Sequence, residues 1–216
     1  MRRALALVVL AALLAGCTSA APERAYFPPP AGPDTEVLST TLWRAAQAAG
    51  DDPERYSFAL IRARDVRAYT ADDAVFYFSE GLARQPADVR DALIAHEVAH
   101  EVLGHVGRRR ALSLSLTAGF TVLGVAVPGL GLLDLLVQPL IVRAYTRDQE
   151  VAADLKAVDI VRAMGHAAPR RTLAAALRAA AQINGTPRGG WLSPEPDLAG
   201  RLDALEPLEP AGLAAK

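Results

Sequence analysis

The chain has 216 residues, 51% of them hydrophobic, with 23 Lys and Arg against 24 Asp and Glu for a net charge of −1. This near balance lacks the basic excess of a nucleic-acid-binding surface. Length alone allows one domain that buries roughly 70% of its unfolded surface. The single cysteine, Cys17, rules out an internal disulfide, so the fold rests on its core.

Arg2 and Arg3 precede an apolar run from Ala4 to Leu14 that is too short for a comfortable membrane span. Residues 1–16 therefore read as a secretory signal. Leu14-Ala15-Gly16-Cys17 resembles the lipobox of bacterial lipoproteins. The resemblance implies cleavage before Cys17 and acylation of that residue, which would anchor a 200-residue mature protein to the lipid bilayer. Losing Arg2 and Arg3 takes the basic count from 23 to 21 against 24 acids, a mature charge near −3 that again argues against a nucleic-acid partner. Thr18, in place of an Asp, points to the outer membrane over the inner, with the domain facing the periplasm. Residues 17–33, with Pro22 and Pro28 to Pro30, read as an extended tether.

Residues 34–216 then form the domain. Asp34 is expected to cap a helix running to Gly50, with Leu38, Leu42, Ala45 and Ala49 on one face and Trp43 packed. From Ser57 the pattern shortens. Phe58 to Val66 and Ala74 to Ser79, parted by the turn-like Ala71-Asp72-Asp73, predict strands of a small antiparallel sheet. Val75 to Phe78 is the expected exposed strand, able to bind an extended peptide through backbone hydrogen bonds.

Asp91 to Gly104 carries His96-Glu97-Val98-Ala99-His100. At about 100° per residue, His100 lies roughly 40° and Glu97 roughly 100° from His96, so the three project into one sector. Val89, Leu93, His96, His100 and Leu103 mark the apolar stripe, between a start at Pro86 and Asp88 and an end near Gly107. Neutral imidazoles suit Zn²⁺, and a carboxylate beside them can take a proton from water, which is the metallopeptidase helix pattern. A catalytic zinc needs a third ligand. His105 is nine residues from His96, about 180° round the helix, and should point away. The HExxHxxGxxH alternative has Val106 where its His would stand. Glu150 is better placed: a second amphipathic helix from Arg147 to near Gly165 puts Glu150, Asp154, Val158 and Val161 on one face. Asp154 there could orient a ligand His.

His96 to His100, completed by His105 as HExxHxxxxH, and TRDQEVAAD at 146–154 resemble the M48 family of zinc metallopeptidases from about Phe58 to Leu205. The resemblance implies one Zn²⁺ per chain on His96, His100 and Glu150, with Glu97 catalytic and Asp154 supporting a ligand. It also implies a zincin-like fold and cleavage of misfolded or membrane-associated proteins. Family members often carry His-Pro before an Arg in a final helix; here Glu195 precedes Pro196, and Arg201 follows. If that His stabilises the oxyanion in relatives, this chain lacks it or supplies it differently, with Arg201 and His166 as the candidates.

Leu112 to Val142 is long and apolar, broken at Pro128-Gly129, and predicts a hydrophobic helical hairpin that could pack on the domain, dip into the bilayer or bind exposed apolar substrate. Leu173 to Ile183 predicts an Ala-rich helix, Asn184-Gly185 a turn, and a short helix ends the chain. The expected fold class is α+β, mainly helical, with the sheet packed on the His96 helix. The expected function is a zinc-dependent endopeptidase of the cell envelope acting on unfolded or membrane-associated polypeptides. An envelope chaperone with latent proteolysis and a non-catalytic zinc-binding scaffold stay open as alternatives.

Overall fold

The computed structural model describes residues 25–28, 31–72, 74–108, 111, 145–185 and 198–211. The described residues from 25 to 106 and from 145 to 211 belong to one compact unit; Gly107, Arg108 and Ala111 belong to a second. The signal at 1–16, Cys17, most of the tether, the apolar stretch 112–142, Glu195 and Pro196 lie outside the described residues. Among the described residues no helix is long and apolar enough to cross a membrane.

The elements of the compact unit are β1 (Ala25–Tyr26), α1 (Pro33–Ala49), a 3-10 turn (Pro53–Arg55), β2 (Ser57–Ile61), β3 (Ala68–Asp72), β4 (Val75–Ser79), α2 (Glu80–Ala83), α3 (Ala87–Val102), α4 (Arg147–Ala163), α5 (Pro169–Asn184) and α6 (Leu198–Ala204). Helices dominate and the strands form one small sheet, so the α+β, mainly helical expectation holds. The sheet is mixed, with order β1-β2-β4-β3. β1 pairs antiparallel with β2 and β3 antiparallel with β4, but β2 and β4 run parallel, Ser57 opposite Val75 and Ile61 opposite Ser79. This corrects the all-antiparallel expectation. The first predicted strand stops at Ile61, and an unexpected strand, β3, forms the hairpin with β4.

The loop that makes the parallel crossover has a specific seat. An added Cβ on Gly81 would lie 2.3 Å from the carbonyl oxygens of Arg64 and Asp65, so only glycine lets the loop pass. From the end of α5, Asn184 donates to the Val66 carbonyl at 2.6 Å and accepts from its amide at 2.8 Å.

Side chains alternate along the strands as a pleated sheet requires. Leu60, Phe76 and Phe78 enter the main core, while Ala59, Ile61 and Tyr77 form a second cluster. Phe76 and Phe78 are fully buried, each contributing about 1.5–3 kcal/mol of apolar burial. Thr70 lies opposite Phe76 in the register and is itself 0% exposed.

Helix α1 begins one residue before the expected cap: Gly32 is the N-cap, Pro33 takes the first turn, and Asp34 makes no capping bond. Gly50 ends it at φ 78°. Leu38, Leu42 and Ala45 are buried as predicted, but Trp43 is 45% exposed, which corrects its reading as a packed residue. Helix α3 is the centre of the unit. It packs against α1, α4, α5 and β3, and from Val89 to His100 nearly every side chain is buried. A helix covered on all sides can hold polar residues only where its neighbours supply partners.

Candidate metal centre

His96 and His100 are one turn apart on α3 and 6% and 0% exposed. Helix α4 faces them with its first turns. A capping box fixes its start: Thr146 Oγ1 accepts from the Gln149 amide, and the Gln149 side chain accepts from the Thr146 amide. Glu150 then falls inside the first turn, facing α3. The Nε2 atoms of His96 and His100 are 3.1 Å apart. Glu150 Oε2 is 3.4 Å from His96 Nε2, and Oε1 is 3.5 Å from His100 Nε2. Three donors at about 2.05 Å from a tetrahedral zinc would be separated by about 3.3 Å, and each imidazole stands at about that spacing from its neighbour and from the nearer Glu150 oxygen. Among the described residues these three form the cluster that could hold a metal.

Each ring is oriented from behind. Asp154, 0% exposed, lies one turn after Glu150 and its Oδ1 is 2.9 Å from His96 Nδ1. A carboxylate can only accept, so Nδ1 of His96 carries a proton and Nε2 is the nitrogen left to a metal. His100 Nδ1 is 3.1 Å from His105 Nδ1, and the Tyr145 ring stacks on His100 with centroids 3.7 Å apart. The expectation that His105 points away is therefore corrected. Helix α3 ends at Val102, Gly104 turns the chain at φ 66°, and the helical wheel no longer applies beyond it.

Glu97 is 7% exposed and receives a hydrogen bond from the Thr70 hydroxyl at 3.3 Å, so β3 touches the site directly. Burial, with Glu150 adding repulsion, pushes the Glu97 carboxyl up to about 7, against the opposing pull of His96, Thr70 and Arg201. For His96, burial and the Arg201 charge work downward, but Asp154 and Glu150 outweigh them and raise it to about 9. Burial pushes both Glu150 and Asp154 up; the contacts with His96 and Arg201 prevail and hold them below the usual carboxylate range. Such a pocket favours a cation between its imidazoles and carboxylates.

Arg201 reaches the same place from α6. Its Nε and NH2 donate to the two oxygens of Asp154 at 2.8 and 2.6 Å, and NH1 is 3.4 Å from Glu150 Oε2. NH2 also lies 3.3 Å from His96 Nδ1. Helix α6 is held by the tail behind it: Glu209 accepts from the Arg170 and Arg171 amides at 3.0 and 2.9 Å, capping an α5 start that has no local cap. The other expected oxyanion donor, His166, is not in the cluster. Its Nε2 is 2.9 Å from Asp91 Oδ2, which also meets Arg44 NH1 at 3.4 Å. Asp91 is five residues before His96, about 7.5 Å back along α3, so this correction removes His166 from the site. The strand assigned to peptide binding changes as well: Val75 to Phe78 is paired on both sides, and β3 is the edge.

Thr70 and Tyr145 are residues of the site that no sequence pattern marked, and His105 is one that the helical wheel misplaced. No curated protein sequence matches the chain. Residues 34–209 match the profile of peptidase family M48, a stretch that contains every residue of the cluster and its supports. A buried HExxH helix joined to a carboxylate from a second helix accords with that match, and the chain belongs to peptidase family M48, a metallopeptidase family.

Proposed function

We propose that this chain is a zinc-dependent endopeptidase of the bacterial cell envelope, with His96, His100 and Glu150 as the ligands of one zinc ion and Glu97 as the catalytic residue. The observation that carries the reading is the pair of imidazole nitrogens 3.1 Å apart, with one Glu150 oxygen 3.4 Å from the first and the other 3.5 Å from the second, and the buried Glu97 carboxyl beside them. Zinc held there would acidify water and polarise the scissile carbonyl. Glu97 takes a proton from the attacking water and delivers it to the leaving amine, a task suited to a carboxyl raised to about 7. Thr70 holds Glu97 Oε2, and Asp154 holds the His96 ring in its ligating tautomer. Arg201 places a positive charge beside Glu150, where it offsets the two carboxylates and can help meet the charge developing on the carbonyl oxygen.

The substrate in this reading is an unfolded or membrane-associated polypeptide. β3 ends the sheet order, and an extended chain could add to its outer edge by backbone hydrogen bonds that make little demand on sequence. The signal-like residues 1–16 and the lipobox-like residues ending at Cys17 support an acylated, periplasm-facing form, at the outer membrane by the Thr18 argument. The 17–33 tether and the apolar 112–142 segment belong to the same reading.

The test is cleavage of an unfolded protein such as casein by the zinc-loaded chain, beside Glu97→Gln. The variant should retain one zinc per chain and lose turnover by about 10²–10⁴-fold. Full turnover in Glu97→Gln, or a folded wild-type chain that binds no zinc, would overturn the assignment. Release of a Cys17→Ala protein from membranes checks the anchor.

A further inference from the structure

The two imidazoles of the cluster are supported unequally. His96 Nδ1 meets the Asp154 carboxylate, which has no proton to give, so its tautomer is settled by its partner. His100 Nδ1 meets another imidazole, His105 Nδ1, at 3.1 Å, with both rings buried. One of these nitrogens must donate and the other accept. If His105 donated, His100 would carry its own proton on Nε2. That proton would point toward His96 Nε2 at 3.1 Å and Glu150 Oε1 at 3.5 Å, into the space between the ligand atoms. Only the opposite arrangement leaves a lone pair there.

We propose that His105 is a positioning residue for the metal: with its own proton on Nε2, it accepts the Nδ1–H of His100 and so selects the ligating tautomer. This rests on the zinc-peptidase reading above. Two features of the chain keep the pair in place. Gly104, at φ 66°, folds the chain back so that His105 returns beneath the end of α3. The Tyr145 ring, 3.7 Å from His100 by centroid and inclined by 22°, restrains the plane of the His100 ring. Outer partners of this kind set both ligand orientation and ligand basicity.

The experiment measures zinc affinity of the full chain by competition with a chelating indicator, for wild type, His105→Leu, His105→Asn and His105→Gln. Metal-free thermal unfolding is followed alongside. His105→Leu removes the acceptor and should weaken zinc binding 10–100-fold, the range seen when outer-shell partners are lost. His105→Asn can put an amide oxygen where Nδ1 stood and should recover most of that loss, whereas His105→Gln, whose amide matches the far ring nitrogen, should not. Wild-type zinc affinity in His105→Leu would overturn the proposal, as would equal weakening in the asparagine and glutamine variants. If the leucine variant does not fold, the asparagine–glutamine comparison decides alone. A wild-type chain that binds no zinc would instead end the peptidase reading, and this inference with it.

Discussion

Replacing Asp154 by Asn tests how the charges of the site are balanced. The side chain keeps its shape, so no cavity opens, but its role changes. Asp154 presently accepts from His96 Nδ1 at 2.9 Å and from Arg201 Nε and NH2 at 2.8 and 2.6 Å, while being 0% exposed. An amide offers one oxygen to three donors and turns an NH2 group against the others. Removing one member of a buried ion pair typically costs 3–5 kcal/mol, because the remaining charge stays behind uncompensated. The Arg201 side chain is 18% exposed and Glu150 still lies 3.4 Å from its NH1, so the lower end applies, about 3 kcal/mol. Urea denaturation of the metal-free protein at pH 7 measures this loss. Chelator competition should show zinc affinity down 10–100-fold, since the His96 tautomer is no longer fixed. A double variant, Asp154→Leu with Arg201→Met, should lose less than the sum of its two single variants, because neither member of that pair is left behind without the other. A loss under about 1 kcal/mol with unchanged zinc affinity, or a double variant whose loss equals the sum of the singles, would refute this account of the cluster.

Thr70→Val removes the hydroxyl on Glu97 and should lower kcat about 5–10-fold, equivalent to about 1 kcal/mol, with zinc affinity unchanged and Thr70→Ser restoring the rate. Gly81→Ala should destabilise the fold by about 1–3 kcal/mol in urea, since its methyl would sit 2.3 Å from two backbone oxygens; a neutral result would mean that the 64–65 loop moves freely. For pH, the His96 value near 9 in the metal-free fold exceeds its ordinary 6.5, so between those limits the folded state holds a proton that the unfolded state has lost. This contribution is fully present below pH 6.5 and disappears as pH rises through about 9, so metal-free stability should fall over that window, less so in His96→Asn. Zinc must displace the same proton, and its affinity should rise over the same window; a flat affinity from pH 6.5 to 9 would contradict the assignment.

The two central helices were legible because polar residues interrupted an apolar period at positions that only a buried partner could satisfy. Glu150 and Asp154 share the face of Val158 and Val161, just as His96 and His100 follow Val89, and burial of all of them bears out that pattern. The sheet was less legible for a topological reason. Strands adjacent in sequence usually pair, yet β2 skips β3 and lies parallel to β4, a crossover set by the loop seated on Gly81. Missing β3 hid Thr70, because its partner Glu97 is 27 residues away and no local pattern joins them. His105 was misplaced because a helical wheel was carried past Gly104, whose positive φ ends the helix.

Arg201 shows why the remaining part of the site lies beyond local patterns. A short final helix bearing an Arg is an ordinary surface feature when read alone. Here its guanidinium spans Asp154 and Glu150, which are 0% and 8% exposed and would otherwise face each other as neighbouring buried carboxylates without their cation. The anchoring of α6 comes from residues with no metal-site signature: Leu205, 0% exposed, and Glu209, which caps the start of α5 through two backbone amides. Docking of the tail onto α5 and neutralisation of the acidic pair beside the histidines are thus one event. The surroundings of the Glu150 carboxylate therefore depend on packing some fifty residues downstream of it, which neither the His96–His100 motif nor the Glu150–Asp154 motif reveals by itself.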